Sequence, residues 1–378
     1  MPPAPHIAVL GAGPAGSTAA AHLARAGLRV TLLESRPFPR VKVCGEYISP
    51  AATSILESLI PPHELAAAGA RRITRMVLEA GDHRSTWTQP TPAWSLSRAA
   101  LDTLLLRKAT EAGAQVLQPA TARRVTFADD CVTIELTDAR TITCDIVIHA
   151  DGSGRHDPAG PVPNAPALLA HKCHLRIPPG THAEDPDTIT MRSCSGAYIG
   201  TIGVEHGLAT CALVARRELS RTHPSTDAIV QHLWPAFRPE WRTTPWKSCG
   251  VPRSRPIMPG HPRSFRLGNA AGAVDPVGGE GIGLALWSGA ELAHHTATLA
   301  RLATLTTRDQ LNSLHTTQHQ LHRSYTAQLR LRLPACQLTA WTLMRPHLVR
   351  ALWPFALVPG LSFRPFYRLT GKAAPASP

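Results

Sequence analysis

Residues 6–34 constrain the fold of this chain more than any other stretch. Residues 7–10 form a short apolar run of the kind found in buried strands, and residues 14–25 are nearly all helix formers. Gly27 stops that helix, and residues 28–33 form a second apolar run. The order of strand, turn, helix and strand predicts a βαβ unit with parallel strands.

Three glycines between the first strand and the helix have the spacing G-x-G-x-x-G. Gly11 suits a tight turn, Gly13 lets backbone approach a pyrophosphate, and Gly16 lets the helix pack on the strand. The helix N-terminus faces such phosphates with partial positive charge. A carboxylate at Glu34, after the second strand, can accept hydrogen bonds from ribose hydroxyls. The predicted dinucleotide site consists of Gly11, Gly13, Pro14, Ala15, Gly16, Glu34, Ser35 and Arg36.

Length and composition limit the class of protein. The 378 residues are enough for two or three domains, and 43% hydrophobic with 17% charged residues suits a globular protein. The sequence shows no secretory signal, and its longest late apolar run, residues 351–363, is short and contains prolines. Eight cysteines without C-x-x-C pairs indicate reduced thiols rather than disulfides or zinc ligands. We expect a cytoplasmic protein with no metal site and no nucleic-acid partner.

The C-terminal region is strongly basic. The net charge of the chain is +13, and residues 292–378 carry nine arginines and Lys372 against the single acid Asp309. Aromatic and aliphatic residues such as Trp341 and Trp353 alternate with these arginines. Two interpretations stay open. The apolar residues can pack on the rest of the chain, or the region can attach peripherally to an anionic cytoplasmic membrane.

Strand and helix patterns alternate along the rest of the chain. Residues 157–166 contain four prolines and predict a linker, and residues 168–260 read as a sheet-based second domain inserted into the first. Predicted helices cover residues 51–60, 98–112, 226–233, 281–302, 308–333 and 335–353, and predicted hairpins pair residues 73–79 with 84–88, 123–127 with 132–136, and 197–204 with 208–214.

Four separated motifs resemble the flavoprotein monooxygenase superfamily with the p-hydroxybenzoate hydroxylase fold. The first is the βαβ unit of residues 6–34, and the second is Lys42-Val43-Cys44-Gly45-Glu46 followed by Ser49-Pro50. The third is Ala150-Asp151-Gly152, and the fourth is the glycine-rich run of residues 268–283. Within the superfamily these motifs look most like the geranylgeranyl-reductase-like branch.

The resemblance implies an α/β fold with three parts: a Rossmann-like FAD-binding domain of the p-hydroxybenzoate hydroxylase type, an inserted antiparallel-sheet substrate domain, and C-terminal helices. Residues 1–160 and 261–305 are expected to form the FAD-binding domain, and a hairpin near residues 71–95 is expected on the substrate side. Residues 161–260 are the expected substrate domain, and residues 306–378 the C-terminal helical region.

The resemblance also implies the cofactor and its ligands. FAD is expected, with its pyrophosphate at the glycine turn and its flavin near the second and fourth motifs. The start of the helix near Gly281 would stabilise negative charge on the reduced flavin. The residues that the resemblance adds to the cofactor site are Cys44, Gly45, Arg98, Asp151, Gly152, Asn269, Asp275, Gly279, Gly281 and Ile282.

Two departures from the family pattern matter. Asn269 stands where the family usually has Asp, so a charge-assisted hydrogen bond to FAD is lost and FAD retention is expected to be weaker. There is also no second G-x-G-x-x-G unit for a nicotinamide nucleotide. The resemblance therefore implies transient reduction by NAD(P)H or by a reduced electron carrier.

Cys44 and Glu46 are the candidate catalytic residues. In the reductase-like branch this loop lies beside the flavin, where a thiol can relay a proton and a carboxylate can act as acid or base. The alternative is a packed free cysteine and a carboxylate that caps the loop. His171, Cys173 and His174 lie in a predicted strand whose alternation divides neighbours between faces, so we expect no site there.

Several functions are compatible with these motifs. The leading expectation is an NAD(P)H-driven monooxygenase that hydroxylates a small hydrophobic, lipid- or polyketide-like substrate. The alternative is an FAD-dependent alkene reductase of the isoprenoid type. A flavin halogenase ranks lower because such enzymes need a lysine shortly after this loop, and none occurs between Lys42 and Lys108. A non-catalytic, membrane-associated flavin-binding protein is the remaining class.

Overall fold

The computed structural model describes residues 4–152, 168–178, 185–251 and 255–356. The linker predicted at residues 157–166 lies outside the described residues, as does the end of the basic C-terminal region from residue 357. The strands are β1 (His6–Leu10), β2 (Arg29–Leu33), β3 (Tyr47–Ile48), β4 (Arg71–Ala80), β5 (His83–Ser95), β6 (Gln115–Leu117), β7 (Ala122–Phe127), β8 (Val132–Leu136), β9 (Thr141–Cys144), β10 (Ile146–His149), β11 (Leu168–Leu175), β12 (Thr188–Cys194), β13 (Ala197–Gly203), β14 (Ala209–Arg216), β15 (Lys247–Gly250) and β16 (Ser264–Arg266).

The helices lie between these strands and after them. They are α1 (Pro14–Arg25), α2 (Thr53–Leu59), α3 (Pro62–Ala67), α4 (Arg98–Glu111), α5 (Arg217–Thr222), α6 (Thr226–Leu233), α7 (Gly281–Ala293), α8 (Thr296–Ala300), α9 (Thr307–Leu343) and α10 (Pro346–Ala356). The single helix predicted for residues 281–302 is therefore divided into α7 and α8 by a turn at His294 and His295.

The helix break predicted near Pro334 is wrong. The helix α9 runs through this proline for 37 residues and ends only at Leu343. A proline removes one backbone hydrogen bond and crowds the preceding turn, but packing can outweigh that cost. Leu329 and Cys336, on either side of the proline, are both fully buried. Burial on both sides therefore holds the helix together.

A five-stranded parallel sheet carries the N-terminal unit. Its order is β16-β10-β1-β2-β6, so β1 lies between β10 and β2. All five residues of β1 are buried, as expected for a strand covered on both faces. The helix α1 packs against α4 and α7. This arrangement confirms the predicted α/β class with a Rossmann-like core.

An eight-stranded sheet forms the second layer. Its order is β15-β11-β14-β13-β12-β4-β5-β3, and every pair is antiparallel except β12 with β4. The β4–β5 hairpin turns at Gly81 and Asp82 and extends the sheet from a part of the chain that precedes β11 by about 70 residues. A separate three-stranded sheet, β7-β8-β9, packs its apolar face against Ala8, Leu33 and Val147 of the parallel sheet.

The C-terminal helices close one side of the eight-stranded sheet. Ala340 and Leu343 of α9 and Trp353 of α10 share an apolar cluster with Tyr198 and Val214 of the sheet. Trp353 also makes an edge-to-face contact with His83 at the start of β5. Among the helices in the described part of the chain, none has the length and apolarity needed to span a bilayer.

Candidate functional site

Two positions of the glycine turn after β1 have no room for a side chain. Gly11 has φ +100°, and a Cβ there would lie 2.6 Å from the carbonyl oxygen of Ala150. A Cβ on Gly16 would lie 1.9 Å from the carbonyl oxygen of Gly11. The turn therefore passes directly against the end of β10, and α1 packs directly on the turn. Pro14 and Ala15 open α1 and are buried.

Gly13 faces open space between two cations. The nearest atoms to a Cβ placed on Gly13 are Nη2 of Arg98 and Nζ of Lys42, both at 3.7 Å. A bare backbone at the start of a helix, flanked by two positive side chains, is suited to an anionic phosphate group. Arg98, which the resemblance assigns to the cofactor site, thus lies beside the glycine turn together with Lys42. Its contact with FAD stays a prediction.

Glu34 ties the glycine turn to the end of β2. The residue is 2% exposed, and its Oε2 accepts a hydrogen bond from the Ala12 N–H at 3.0 Å. Its Oε1 accepts from the Arg36 N–H at 3.1 Å and from Arg40 Nη2 at 2.8 Å. The hydroxyl of Ser35 also donates to Oε1, at 3.2 Å. Glu34 thus orders both segments around the predicted ribose position, and its contact with a ribose stays a prediction.

Arg98 begins α4 and is held by a buried carboxylate. Ser97 caps the helix, since its hydroxyl accepts a hydrogen bond from the Ala100 N–H. Arg98 donates two hydrogen bonds of 2.7 Å to Asp102, which is fully buried. Burial alone would lower the pKa of Arg98, but the ion pair with Asp102 outweighs burial and raises it. The guanidinium is therefore permanently charged and fixed in direction.

The loop of residues 42–46 lies between the glycine turn and the eight-stranded sheet. Cys44 is half-buried, and its Sγ accepts a hydrogen bond from the Glu46 N–H at 3.4 Å. A Cβ on Gly45 would have no neighbour within 4 Å. Glu46 has φ +58°, a left-handed conformation that is uncommon for a residue with a side chain. A strong set of contacts must hold Glu46 in this conformation.

Those contacts form the Glu46 cluster, made of Glu46, Lys172, His174 and Thr210. The Glu46 side chain is fully buried and pairs through Oε1 with Nζ of Lys172, itself fully buried. Its Oε2 accepts from the Thr210 hydroxyl and from His174 Nε2, the latter at 2.9 Å. The Arg98 N–H donates to Oε1 at 2.7 Å. The cluster thus joins the 42–46 loop to β11, β14 and α4.

The electrostatics of the cluster keep Glu46 ionised. Burial alone would raise the pKa of Glu46, but the hydrogen bond from His174 and the charge of Lys172 together lower it to about 2. A carboxylate in this state holds no proton near neutral pH and is a weak base. Its predicted role as a catalytic acid or base is untested, and these surroundings are typical of a positioning role.

Sequence reasoning missed Lys172, His174 and Thr210 as partners of Glu46. The prediction that His171, Cys173 and His174 form no site is wrong for His174, which binds Glu46. Alternation along the strand places Lys172 and His174 on one face of β11, opposite Ala212 and Thr210 of β14. That shared face was the available signal, but the partner at residue 46 lies more than 120 residues away.

The third and fourth motifs meet the glycine turn from the other side. A Cβ on Gly268 would lie 3.0 Å from Cβ of Ala15, so the fourth motif packs on the start of α1. Asn269 follows in a short 3-10 turn and is half-buried. Gly152, with φ +88°, has no atom within 4 Å of a Cβ position, while Asp151 beside it is exposed.

The turn before α7 is capped and closely packed. Asp275 is 1% exposed, and its Oδ1 accepts from the Val277 N–H at 3.1 Å and from the Tyr198 hydroxyl at 2.9 Å. Gly279 has φ +67°, and a Cβ there would lie 2.8 Å from the ring of Tyr47. Gly281 opens α7 with free space at its Cβ position, and Ile282 behind it is buried.

These positions fit a bound FAD. Gly13, Gly45, Gly152 and Gly281 all present bare backbone with no atom closer than 3.7 Å to a Cβ position. They belong to the four motifs, and Gly13 is bordered by the fixed cation of Arg98. The start of α7 adds N–H groups with partial positive charge. The combination suits a long anionic cofactor that carries a flat ring.

An apolar cavity of about 450 Å³ lies next to the 42–46 loop. Its floor is the eight-stranded sheet, its inner end is Gly45, Val277 and Gly279, and its outer wall is α9 and α10. Ala212 and Val214 of the floor share a sheet face with Lys172 and His174. The cavity therefore ends at the predicted flavin position, and its floor lies on the same sheet face as Lys172 and His174 of the Glu46 cluster. Its lining includes Met76, Leu78, Trp87, Ile189, Met191, Ile202, Leu343 and Trp353.

Comparison with known proteins identifies the cofactor and the class. Residues 5–156 match the family model described as the FAD binding domain. A menaquinone reductase from Mycobacterium tuberculosis is 29% identical over 311 residues, which cover 75% of this chain and 74% of that protein. The chain is an FAD-dependent oxidoreductase. The family match confirms the predicted FAD-binding domain of this oxidoreductase.

Two further relatives match part of this oxidoreductase. A digeranylgeranylglycerophospholipid reductase from Sulfolobus acidocaldarius is 26% identical over 157 residues, 39% of this chain and 34% of that one. This similarity supports the predicted likeness to the geranylgeranyl-reductase-like branch. A flavin-dependent halogenase from Armillaria mellea is 33% identical over 144 residues, 35% of this chain and 27% of that one.

A solved structure establishes the fold of the oxidoreductase over nearly its whole length. PqsL from Pseudomonas aeruginosa, described as a probable FAD-dependent monooxygenase, superposes with a TM-score of 0.70 at 16% identity. The superposition covers 93% of this chain and 99% of that one. At this identity the likeness concerns the fold, and the predicted p-hydroxybenzoate hydroxylase type is confirmed.

Proposed function

We propose that the chain reduces a carbon–carbon double bond of a hydrophobic, lipid- or polyketide-like substrate held in the apolar cavity. The observation that carries the proposal is the position of this cavity, which ends at Gly45, one residue from the Cys44 thiol. A cavity of about 450 Å³ lies within the range of small-molecule sites. The similarity to a menaquinone reductase over three quarters of the chain supports reduction.

Substrate recognition in this cavity rests on apolar contact. The two tyrosine hydroxyls nearest the flavin loops already have protein acceptors: Tyr47 donates to Gln89 Oε1 at 2.7 Å, and Tyr198 donates to Asp275. The rest of the lining is mainly aliphatic and aromatic. Burial of apolar area contributes roughly 25 cal/mol per Å², so an apolar substrate gains most of its affinity by leaving water.

Saturation of a double bond adds a hydride to one carbon and a proton to its neighbour. FAD, once bound and reduced, supplies the two electrons with the hydride. The chain must hold the proton, and Cys44 is the proposed donor because its thiol lies in the half-buried loop beside the cavity. Glu46 cannot replace it because its pKa is lowered to about 2. We propose that Glu46 instead positions Cys44, whose Sγ accepts a hydrogen bond from the Glu46 N–H.

Turnover without oxygen tests the reaction type. Under the reductase proposal, substrate is saturated anaerobically, and Cys44→Ser lowers turnover by about tenfold or more while FAD stays bound. Cys131→Ser is the matched control, because Cys131 is also half-buried but lies beside the three-stranded sheet. Product that forms only with O2 and carries a new hydroxyl would instead support the monooxygenase expected from the superfamily resemblance.

The positions of the lysines argue against a halogenase. None of the described residues that line the cavity is a lysine. Lys172 is fully buried and is paired with Glu46, and Lys42 faces the glycine turn. We therefore propose no halide chemistry for this site.

The electron source is proposed to be NAD(P)H or a reduced electron carrier that docks transiently. The support is that the sequence has a single G-x-G-x-x-G unit, and that this unit lies in the stretch that matches the FAD binding domain. Anaerobic mixing with NADH and NADPH, followed by the loss of oxidised-flavin absorbance, distinguishes the two. Bleaching by dithionite but by neither nucleotide would point to a carrier protein.

We also propose peripheral attachment to an anionic membrane at the mouth of the cavity. Among the large apolar side chains that are most exposed in the described residues, four lie on α9 and α10. Two of them, Leu338 and Leu352, also line the cavity. Arg345 stacks on Trp341 with its guanidinium carbon 3.9 Å from the ring centroid, so a cation accompanies the apolar surface. The patch consists of Leu331, Leu338, Trp341 and Leu352.

Cosedimentation with vesicles tests this attachment. We expect binding to anionic but not to neutral vesicles, and release at high salt. The double variant Leu331→Ser with Trp341→Ser should weaken binding, and it leaves the cavity lining intact. Phe127→Ser, at an exposed apolar residue of the three-stranded sheet, is the control. Equal binding to both vesicle types would contradict attachment to anionic lipid, and no binding at low salt would leave the patch a structural cap.

A further inference from the structure

Two histidines on the exposed side of α9 have their rings in contact. His315 and His319 are both exposed, and their Nε2 atoms lie 3.0 Å apart. The ring centroids are 4.3 Å apart, and the ring planes meet at 67°. Residues four apart on a helix are neighbours on its surface, so the regular backbone of α9 brings the two rings together. Neither residue lines the apolar cavity.

The buried side of α9 is anchored at the same level. Leu314 and Leu321 belong to the main apolar core. Nε2 of Gln318 donates hydrogen bonds to the carbonyl oxygens of His261, at 2.8 Å, and of Ser264, at 2.7 Å. The backbone that carries the two histidines is therefore fixed, and only side-chain rotation is needed to adjust the rings. A pair on a fixed helix loses little conformational freedom when it binds a ligand.

The separation of the two nitrogens matches that of neighbouring ligands on one metal ion. A histidine nitrogen binds a divalent transition metal at about 2.0–2.1 Å. Two such bonds at a right angle place their nitrogens roughly 2.8–3.0 Å apart, whereas a tetrahedral angle places them roughly 3.3–3.4 Å apart. The observed 3.0 Å therefore fits the right-angled arrangement, which Cu²⁺ and Ni²⁺ adopt with nitrogen ligands.

The chemistry of the pair also limits the kind of cation. Both ligand atoms are imidazole nitrogens, which suit Cu²⁺, Ni²⁺ and Zn²⁺, whereas Mg²⁺ and Ca²⁺ prefer oxygen ligands. The acid of α9, Asp309, lies six residues before His315 and accepts a hydrogen bond from Thr306. Within the described part of the chain, no group of three or more His, Cys, Asp or Glu side chains can hold a metal. A metal at the histidine pair would thus have two protein ligands and complete its coordination with water.

We propose that His315 and His319 form a chelating site for one divalent transition-metal ion, with Cu²⁺ and Ni²⁺ preferred to Zn²⁺. Each Nε2 supplies a lone pair, so the ring that donates the hydrogen bond in the metal-free pair takes up the tautomer with its proton on Nδ1. The proposal concerns the surface of α9 and is independent of the reaction that the flavin performs. It also revises the expectation of no metal site, which rested on the spacing of the cysteines.

Calorimetric titration of the untagged full-length chain with Ni²⁺ tests the proposal. We expect the site of highest affinity to take one ion per chain. Its dissociation constant should rise about tenfold or more in His319→Asn, because one arm of the chelate is lost. His63→Asn is the matched control: it removes an exposed histidine from α3, and its affinity for Ni²⁺ should equal that of the wild type.

A second variant separates the spacing of the histidines from their number. The double variant His319→Gln with Gln320→His moves one imidazole by one residue, which turns it about 100° around the helix and away from His315. Both changed residues are exposed, so the fold should be unaffected. We expect this variant to bind Ni²⁺ as weakly as His319→Asn does, and Ni²⁺ should raise the thermal midpoint of the wild type but of neither variant. Wild-type affinity in His319→Asn or in the double variant would overturn the proposal, and so would failure of the wild type to bind Ni²⁺.

Discussion

Replacing Glu46 by glutamine should destabilise the fold strongly, although the two side chains have nearly the same shape. The change leaves Lys172, which is fully buried, without its counterion. It also directs an amide NH₂ toward groups that all donate: Lys172, Thr210, His174 or the Arg98 N–H. Removal of one partner from a buried ion pair costs about 3–5 kcal/mol. We expect a loss of that size in the free energy of unfolding.

Urea unfolding followed by far-UV circular dichroism near neutral pH measures this loss. Glu64→Gln is the matched control, because Glu64 pairs with Arg107 and Lys108 on a side chain that is 26% exposed. A solvent-accessible ion pair of this kind contributes little to stability. The double variant Glu46→Gln with Lys172→Met removes both charges and should recover part of the stability. A loss below about 1 kcal/mol in Glu46→Gln would refute the reasoning.

The lowered pKa of Glu46 also predicts that the stability difference between wild type and Glu46→Gln depends on pH. The pKa of Glu46 is lowered in the folded state from its ordinary value of 4.5 to about 2. Its ionised form therefore contributes stability above about pH 4.5, and that contribution is lost as the pH falls through about 2. The difference in stability between wild type and Glu46→Gln should shrink across this window. A constant difference would show that the charge of Glu46 is not its source.

Three further substitutions test other parts of the site. Asn269→Asp should tighten FAD binding several-fold by restoring a charge-assisted bond, and an unchanged dissociation constant would show that Asn269 is not limiting. Gly279→Ala should lower the thermal midpoint, because its Cβ would lie 2.8 Å from the Tyr47 ring at φ +67°; an unaltered midpoint would contradict that packing. Ala212→Leu should raise KM for an apolar substrate by filling the cavity floor, with FAD binding unchanged; an unaltered KM would place the substrate elsewhere.

The N-terminal unit could be predicted because its signals are local. The strand, the glycine spacing and the helix of residues 6–34 all follow from neighbouring residues, and β1, α1 and β2 lie where the pattern places them. Gly11 and Gly16 show why the spacing is strict, since a side chain at either position would overlap backbone atoms. Short-range sterics of this kind can be recognised in a single sequence.

The Glu46 cluster could not be predicted in the same way. Glu46 is separated by 126 residues from Lys172 and by 164 from Thr210, and only the tertiary fold brings them together. Alternation along β11 gives the shared face of Lys172 and His174 but not what that face meets. The helix break predicted at Pro334 failed for a different reason. The local rule that proline interrupts a helix was outweighed by the burial of residues on both sides of Pro334.

Titration of the apoprotein with FAD tests the central claim most directly. We predict one FAD per chain with a dissociation constant well below about 1 mM, which corresponds to more than about 4 kcal/mol of binding. Gly13→Val should abolish this binding while far-UV circular dichroism stays near that of the wild type. The reason is that a side chain there would fill the open space between Lys42 and Arg98. Absence of FAD binding by the wild type, or normal affinity in Gly13→Val, would contradict the account.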